Sequence, residues 1–264
     1  MAKTQKERAF LRDLYINEEW TRRFTDLVDK NLVFKKAENV LYINAGTGDH
    51  CFQLREKLDD KIAIFARCES QELAAIARDK AIAVKSDVDF STMRFDDDAF
   101  DIVVADATLI APPEIGNFVS DAVRVTRPGG KTAVFLPSAG SYGEVFSLLW
   151  EVLFEEDLGE HGHAAEAMIA EIPTVSRIEE IASAAGLTDI KSYNAREVFE
   201  FENGEAFISS PLVADFLLSE WLKTLKKKDR ERVNARLAKL IDAEDGDLTF
   251  RFSVKATLVT GEKG

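Results

Sequence analysis

The chain has 264 residues, 46% hydrophobic and 31% charged, with a net charge of −13. That size and balance fit one soluble α/β core carrying an insertion, and a surface this acidic repels phosphate backbones, so nucleic acid is excluded as the expected substrate. No apolar run reaches the roughly 18 residues that cross a bilayer, no apolar stretch follows the basic segment Met1 to Arg8 to make a secretory signal, and Cys51 and Cys68 are the only cysteines, so we expect no disulfide framework, no metal site and a cytoplasmic location.

Residues 8–32 predict two short helices broken near Ile16-Asn17. Phe10, Leu11 and Leu14 share one face, and Trp20, Phe24, Leu27 and Val28 share another. Residues 1–36 then form an N-terminal helical layer, covering either a ligand site or a sheet edge. Val40 to Ile43 reads as a buried strand, and Gly46-Thr47-Gly48 turns it into a helix over about Asp49 to Leu58. Such a turn offers free backbone N–H groups and the positive end of a helix to a ligand. Gly46 and Gly48 have no Cβ to hold that ligand off.

Ile62 to Ala66 predicts the second strand, and Ser70 caps a helix of good formers from Gln71 to Arg78. Ala81 to Lys85 predicts the third strand, ending at Ser86-Asp87-Val88, and Phe100 to Asp106 the fourth. Residues 114–126 predict a helix that Arg127-Pro128-Gly129-Gly130 breaks, and Lys131 to Leu136 is the fifth strand. Strands alternating with helices imply right-handed crossovers and a mostly parallel sheet. Further on come a helix from Ser141 to Asp157 burying Val145, Phe146, Leu149, Trp150 and Leu153, and a connector over 160–173. A helix from Ser176 to Ala185 and a strand from Thr188 to Phe201 follow. Glu205 to Ala243 is a helical cap, and Leu248 to Thr260 alternates with the period of a strand.

Asp106 falls at the carboxyl end of the fourth strand, where open α/β sheets hold their ligands. Cys68 has no sequence neighbour to activate it and reads as a plain buried thiol. His161 and His163 are spaced i, i+2, which does not place them on one helix face, so they read as a surface linker. Tyr15, Trp20, Tyr142 and Trp150 sit at helical spacing and read as core. The basic run Lys223 to Arg236 is diluted by Asp229 and Glu231 and reads as a solvated face. No Ser-His-Asp order, metal cluster or Walker loop is present. The turn from Gly46 to Cys51 imitates a dinucleotide turn, but Cys51 takes the place of its third glycine.

Three segments together resemble the class I S-adenosylmethionine-dependent methyltransferases. They are Val40 to Gly48, Phe95 to Ala105, and Ala122 to Lys131, of which the Arg127-Pro128-Gly129-Gly130 turn is the most specific. The resemblance spans roughly residues 38–136. It implies a doubly wound Rossmann-like sheet over 37–264, with seven strands, the last two antiparallel, and a helical insertion at about 205–243. It also implies S-adenosylmethionine as cofactor and direct methyl transfer to a small molecule or a protein. By register, Asn44, Gly46 and Gly48 would cradle the methionine end, Cys68 or Glu69 the ribose, and Asp87-Val88 the adenine, with Asp106 lining the site. Three positions depart from the pattern: Tyr42 and Cys68 stand where the family carries acids, and Asn44 where it carries its first glycine. The alternative is a non-catalytic member that binds a protein partner through its acidic helical second half.

Overall fold

The computed structural model describes residues 3–162, 170–245 and 249–264 of the chain. From the N-terminus, α1 (Gln5–Leu11) starts on a capping box in which the Thr4 hydroxyl accepts from the Glu7 amide. It runs without a break into a π-helical stretch, Arg12–Thr21, and on into α2 (Arg22–Asn31). The expected break at Ile16-Asn17 is therefore a widening of the helix rather than an end.

Then follow β1 (Asn39–Ile43), α3 (Asp49–Lys57), β2 (Ala63–Arg67), α4 (Gln71–Val84), β3 (Asp89–Ser91), β4 (Phe100–Asp106), α5 (Ile115–Val125) and β5 (Thr126–Ser138). The second half adds α6 (Gly143–Glu155), α7 (Val175–Ala184), β6 (Leu187–Phe201), α8 (Gly204–Ser209), α9 (Leu218–Trp221), α10 (Lys227–Asp245) and β7 (Phe250–Lys263). The expectations for His163 and Leu248 lie outside the described residues.

The third strand is not Ala81 to Lys85. That short apolar run finishes α4, which Lys85 ends in the left-handed region, and it leaves Ile82 and Val84 exposed. The strand comes later, at Asp89–Ser91. Trp150 is likewise not core, being 41% exposed, although Val145, Phe146, Leu149 and Leu153 on the same helix are buried.

The strands form a seven-stranded mixed sheet in the order β3-β2-β1-β4-β5-β7-β6. The first five are parallel: Val40 pairs with Ile64 on one side and Ile102 on the other. The last strand runs antiparallel to β6. Thr188 bonds to the Glu262 carbonyl and Thr257 to Asn194, while Arg251 pairs with Glu200, so partners descend β7 as they climb β6. This is the Rossmann-like sheet that the resemblance implied. The register between β4 and β5 shifts at Phe100/Ile102, where Gly130 packs so tightly that a Cβ would lie 2.8 Å from the Asp101 carbonyl.

The chain divides into two compact units. The first comprises Met1–Leu136, Val175–Asn194 and Thr257–Gly264. Its inner strands are buried on both faces, which is why they read as unbroken apolar runs. One face sends Leu41, Ile43, Val103, Ala105 and Val134 against Val119 and Val123 of α5 and Ile178 of α7. On the other, Phe135 meets Phe24 of α2 at 6.3 Å between ring centroids and Tyr42 at 6.4 Å. The second unit, Pro137–Thr174 and Ala195–Ala256, contains the helical cap. Its core is aromatic, with Phe146 against Trp221 at 4.8 Å and Phe252 stacked on Phe199 at 4.9 Å.

Candidate functional site

The turn after β1 is built from left-handed residues. Asn44, Gly46 and Gly48 have φ of +58°, +57° and +88°. Asn44 replaces a glycine without breaking the turn, because Asn tolerates this region better than other side chains. Its side-chain amide also donates to the Asp106 carbonyl at 3.1 Å, tying the turn to β4.

Glu69, two residues beyond β2, turns back toward this bend, and its carboxylate accepts from the Gly46 amide at 3.1 Å. Cys68 does not take that role: its thiol is buried, and burial pushes its pKa up to about 12. Gly46 and Glu69 are thus brought together with Asn44 and Asp106. Asp106 is buried, and burial pushes its carboxyl up to about 6 against the pull of Arg12 and of two bonds from Thr108.

Asp87 and Val88 do not join the site. They precede β3 instead of following it, which puts them at the amino end of a parallel strand, away from the turn. Asp87 lies exposed, 3.7 Å from Arg55. Phe90 of β3 is the residue that reaches the turn: a Cβ on Gly48 would fall 2.5 Å from its ring.

The π-helical stretch supplies residues that sequence reasoning missed. Arg12, itself buried, pairs with Glu69 at 2.6 Å and lies 3.8 Å from Asp106. Its Nε is buried without a partner. A Cβ on Gly46 would sit 3.1 Å from that nitrogen and 3.6 Å from Asn17, whereas Tyr42 is not among its nearest neighbours. Asn17 donates to Thr47 at 2.6 Å and also to Asp49. Lys80 of α4 reaches Asp13 and Asp49 at 2.7 Å each. Burial works against the Lys80 ammonium, but these bonds outweigh it and raise its pKa. One sequence signal existed for Arg12: it has no acid three or four residues away, as a helix-surface arginine often has.

Between this stretch and the turn lies a cavity of about 120 Å³, walled by Arg12, Asn17, Tyr42, Asn44, Gly46 and Asp106 among others. Typical ligand clefts measure roughly 300–1,000 Å³. The donor set suits an adenosyl amino acid: a carboxylate beside the turn for sugar hydroxyls, and an orphaned guanidinium N–H for a carboxylate. The cavity as it stands is smaller than that range.

A strand, a glycine turn and an acid after β2, on a sheet with an antiparallel last strand, define the fold of the class I S-adenosylmethionine-dependent methyltransferases. The family model described as "Methyltransferase domain" matches residues 40–130, from β1 into β5. Among solved structures the chain is similar to the YcgJ protein of Bacillus subtilis, at 15% identity over 92% of this chain and 98% of that one, with a TM-score of 0.57. It is similar also to Haemonchus contortus phosphoethanolamine N-methyltransferase 2 in complex with phosphomonomethylethanolamine and S-adenosylhomocysteine, at 15% identity, 98% and 58% coverage and a TM-score of 0.54. The [4+2]-cyclase SpnF matches at 18% identity, 100% and 97% coverage and a TM-score of 0.53. Likenesses at this identity establish the fold. No curated protein matches the chain in sequence.

Proposed function

We propose that the protein is an S-adenosylmethionine-dependent methyltransferase acting on a small molecule or a protein. The observation that carries this reading is the Glu69 carboxylate held 3.1 Å from the Gly46 amide, at the carboxyl edge of the sheet where the family model matches. The cofactor, when bound, would supply a methyl group on a sulfonium: the acceptor's lone pair forms a bond to the methyl carbon as the carbon–sulfur bond breaks, and its electron pair leaves on sulfur as the neutral thioether S-adenosylhomocysteine. Direct displacement asks the protein mainly for alignment and exclusion of water. Glu69 would accept from the two ribose hydroxyls, Arg12 would pair with the methionine carboxylate, and the left-handed turn would let the ligand lie against the backbone. Binding would then exchange the internal Arg12–Glu69 pair for two ligand contacts.

Both cysteines are free and buried, which agrees with work in a reducing cytoplasm. Among the described residues no helix is long and apolar enough to cross a membrane.

One observation favours a second reading. Glu69 is already satisfied by Arg12, and the cavity is small. A member that had given up catalysis would keep this closed state and use its acidic helical half to hold a protein partner.

Calorimetric titration with S-adenosylmethionine and S-adenosylhomocysteine separates the two. We expect binding of both, weakened about tenfold or more in Glu69→Gln, the scale of a lost hydrogen bond to a charged group. Absence of heat at protein concentrations sensitive to millimolar affinity would refute the enzymatic reading.

A further inference from the structure

Tyr42 stands where the resembling family carries an acid, yet it is not an isolated replacement. Its hydroxyl lies 3.1 Å from Nδ1 of His50, on the first turn of α3. Nε2 of His50 lies 3.4 Å from Asp29 near the end of α2, and Asp29 is held in turn by Lys57 at 2.5 Å. Tyr42 and His50 are both buried, their rings meet edge to face at 5.5 Å, and both wall the cavity beside the Gly46 turn.

The direction of these bonds follows from which groups can give a proton. The His50 bond and, after it, the Lys57 bond outweigh burial and pull the Asp29 pKa down to about 2, so Asp29 is a carboxylate and can only accept. In the neutral imidazole tautomer that gives Nε2–H to Asp29, Nδ1 carries a lone pair, and the Tyr42 O–H donates to it. Its oxygen keeps its own lone pairs, polarised by a chain that ends in a negative charge.

The rest of the cavity wall completes a pattern. Arg12 contributes an N–H without a partner. The other acids there are engaged: Asp13 and Asp49 by Lys80, Glu18 by Arg22, and Asp106 by Thr108 and Arg12. The Arg12 Nε–H is left for an anion, and Tyr42 offers a neutral oxygen backed by the Asp29 carboxylate. An α-amino acid has both complements, a carboxylate and an ammonium.

We propose that Tyr42, His50 and Asp29 form a relay that binds the α-ammonium of the ligand's amino-acid portion, while Arg12 binds its carboxylate. The inference rests on the methyltransferase reading, in which that portion is the methionine of the cofactor. Tyr42 is the residue that touches the ligand; His50 and Asp29 are positioning residues acting through it. The acid that the family places at the strand is here moved to α2 and its charge delivered through two side chains.

The test is calorimetric titration of the full chain with S-adenosylhomocysteine and with its analogue lacking the α-amino group. Four proteins are compared: the unaltered chain, Tyr42→Phe, His50→Gln and Asp29→Asn. We expect Tyr42→Phe to weaken S-adenosylhomocysteine about tenfold and the other two to weaken it several-fold. The analogue should bind all four alike. Asp29, whose side chain is 25% exposed, provides the variant that folds should Tyr42→Phe not. Equal affinity of the unaltered chain for the two ligands, or equal weakening of both by the variants, overturns the relay and leaves the methyltransferase reading intact. An unaltered chain that binds neither ligand overturns both.

Discussion

The buried carboxyl of Asp106 makes a stability prediction that does not depend on any ligand. Burial pushes its pKa from 3.8 to about 6, with Arg12 and Thr108 opposing. At roughly 1.36 kcal/mol per pH unit, that difference amounts to about 3 kcal/mol between protonated and ionised native states. The sign follows from which state gives up its proton first. Below 3.8 both folded and unfolded chains hold it, and the contribution to stability is complete. Between 3.8 and about 6 the unfolded chain ionises while the folded one does not, so stability falls as pH rises, and above about 6 the loss is complete. About 1.4 kcal/mol of it falls between pH 5 and 7.5. In Asp106→Asn the acceptor for Thr108 remains and the titration is gone. Any cost of turning an amide toward Arg12 is the same at every pH. Urea unfolding of both proteins across that range should show the unaltered chain losing about 1.4 kcal/mol relative to the variant. A stability difference that stays constant across this range would refute the assignment of that pKa to Asp106.

Two glycine substitutions test the packing of the separate units, read as melting temperatures by calorimetry. Gly48→Ala places a Cβ 2.5 Å from the Phe90 ring at a φ of +88°, and should cost about 2 kcal/mol or more. Gly204→Ala, at the start of α8, meets the Ala238 carbonyl of α10 at 2.1 Å, a backbone atom that cannot step aside, and should cost about 3 kcal/mol. Gly116→Ala on α5 meets nothing within 4 Å, and should instead gain about 0.5–1 kcal/mol, which controls for glycine replacement as such.

The parallel sheet was legible because its inner strands are buried on both faces, and so appear as short unbroken apolar runs such as Val40 to Ile43. The Arg127-Pro128-Gly129-Gly130 segment, expected as a turn, begins β5 at its register shift, where a Cβ on Gly130 would lie 2.8 Å from the Asp101 carbonyl. The third strand was misplaced because Ala81-Ile82-Ala83-Val84 has no period, and a run of four apolar residues suits the end of a helix as well as a strand. That error carried Asp87 and Val88 into the site with it. Trp150 followed the apolar spacing of α6 but packs over Gly162, whose Cβ would fall 2.5 Å from its ring. Of the site itself, the turn was readable from the sequence, while register pointed to Cys68 with Glu69 beside it as the alternative, and it is Glu69 that bonds to Gly46. Arg12, Asn17, His50 and Asp29 were not readable, because each finds its partner through tertiary contact, and no local spacing records that.

The ten residues of π-helix at Arg12–Thr21 have a consequence for how such a pocket is adjusted. In a regular helix, positions five apart point about 140° from each other. The wider coil stacks them, which is how Arg12 and Asn17 come to flank Gly46 together. Deleting one residue from this coil would rewind it and swing everything upstream by about 100° around the axis. The grip on the pocket is therefore set by the pitch of a leader that the sheet does not build, and one-residue insertions or deletions there can retune it while every strand stays in place.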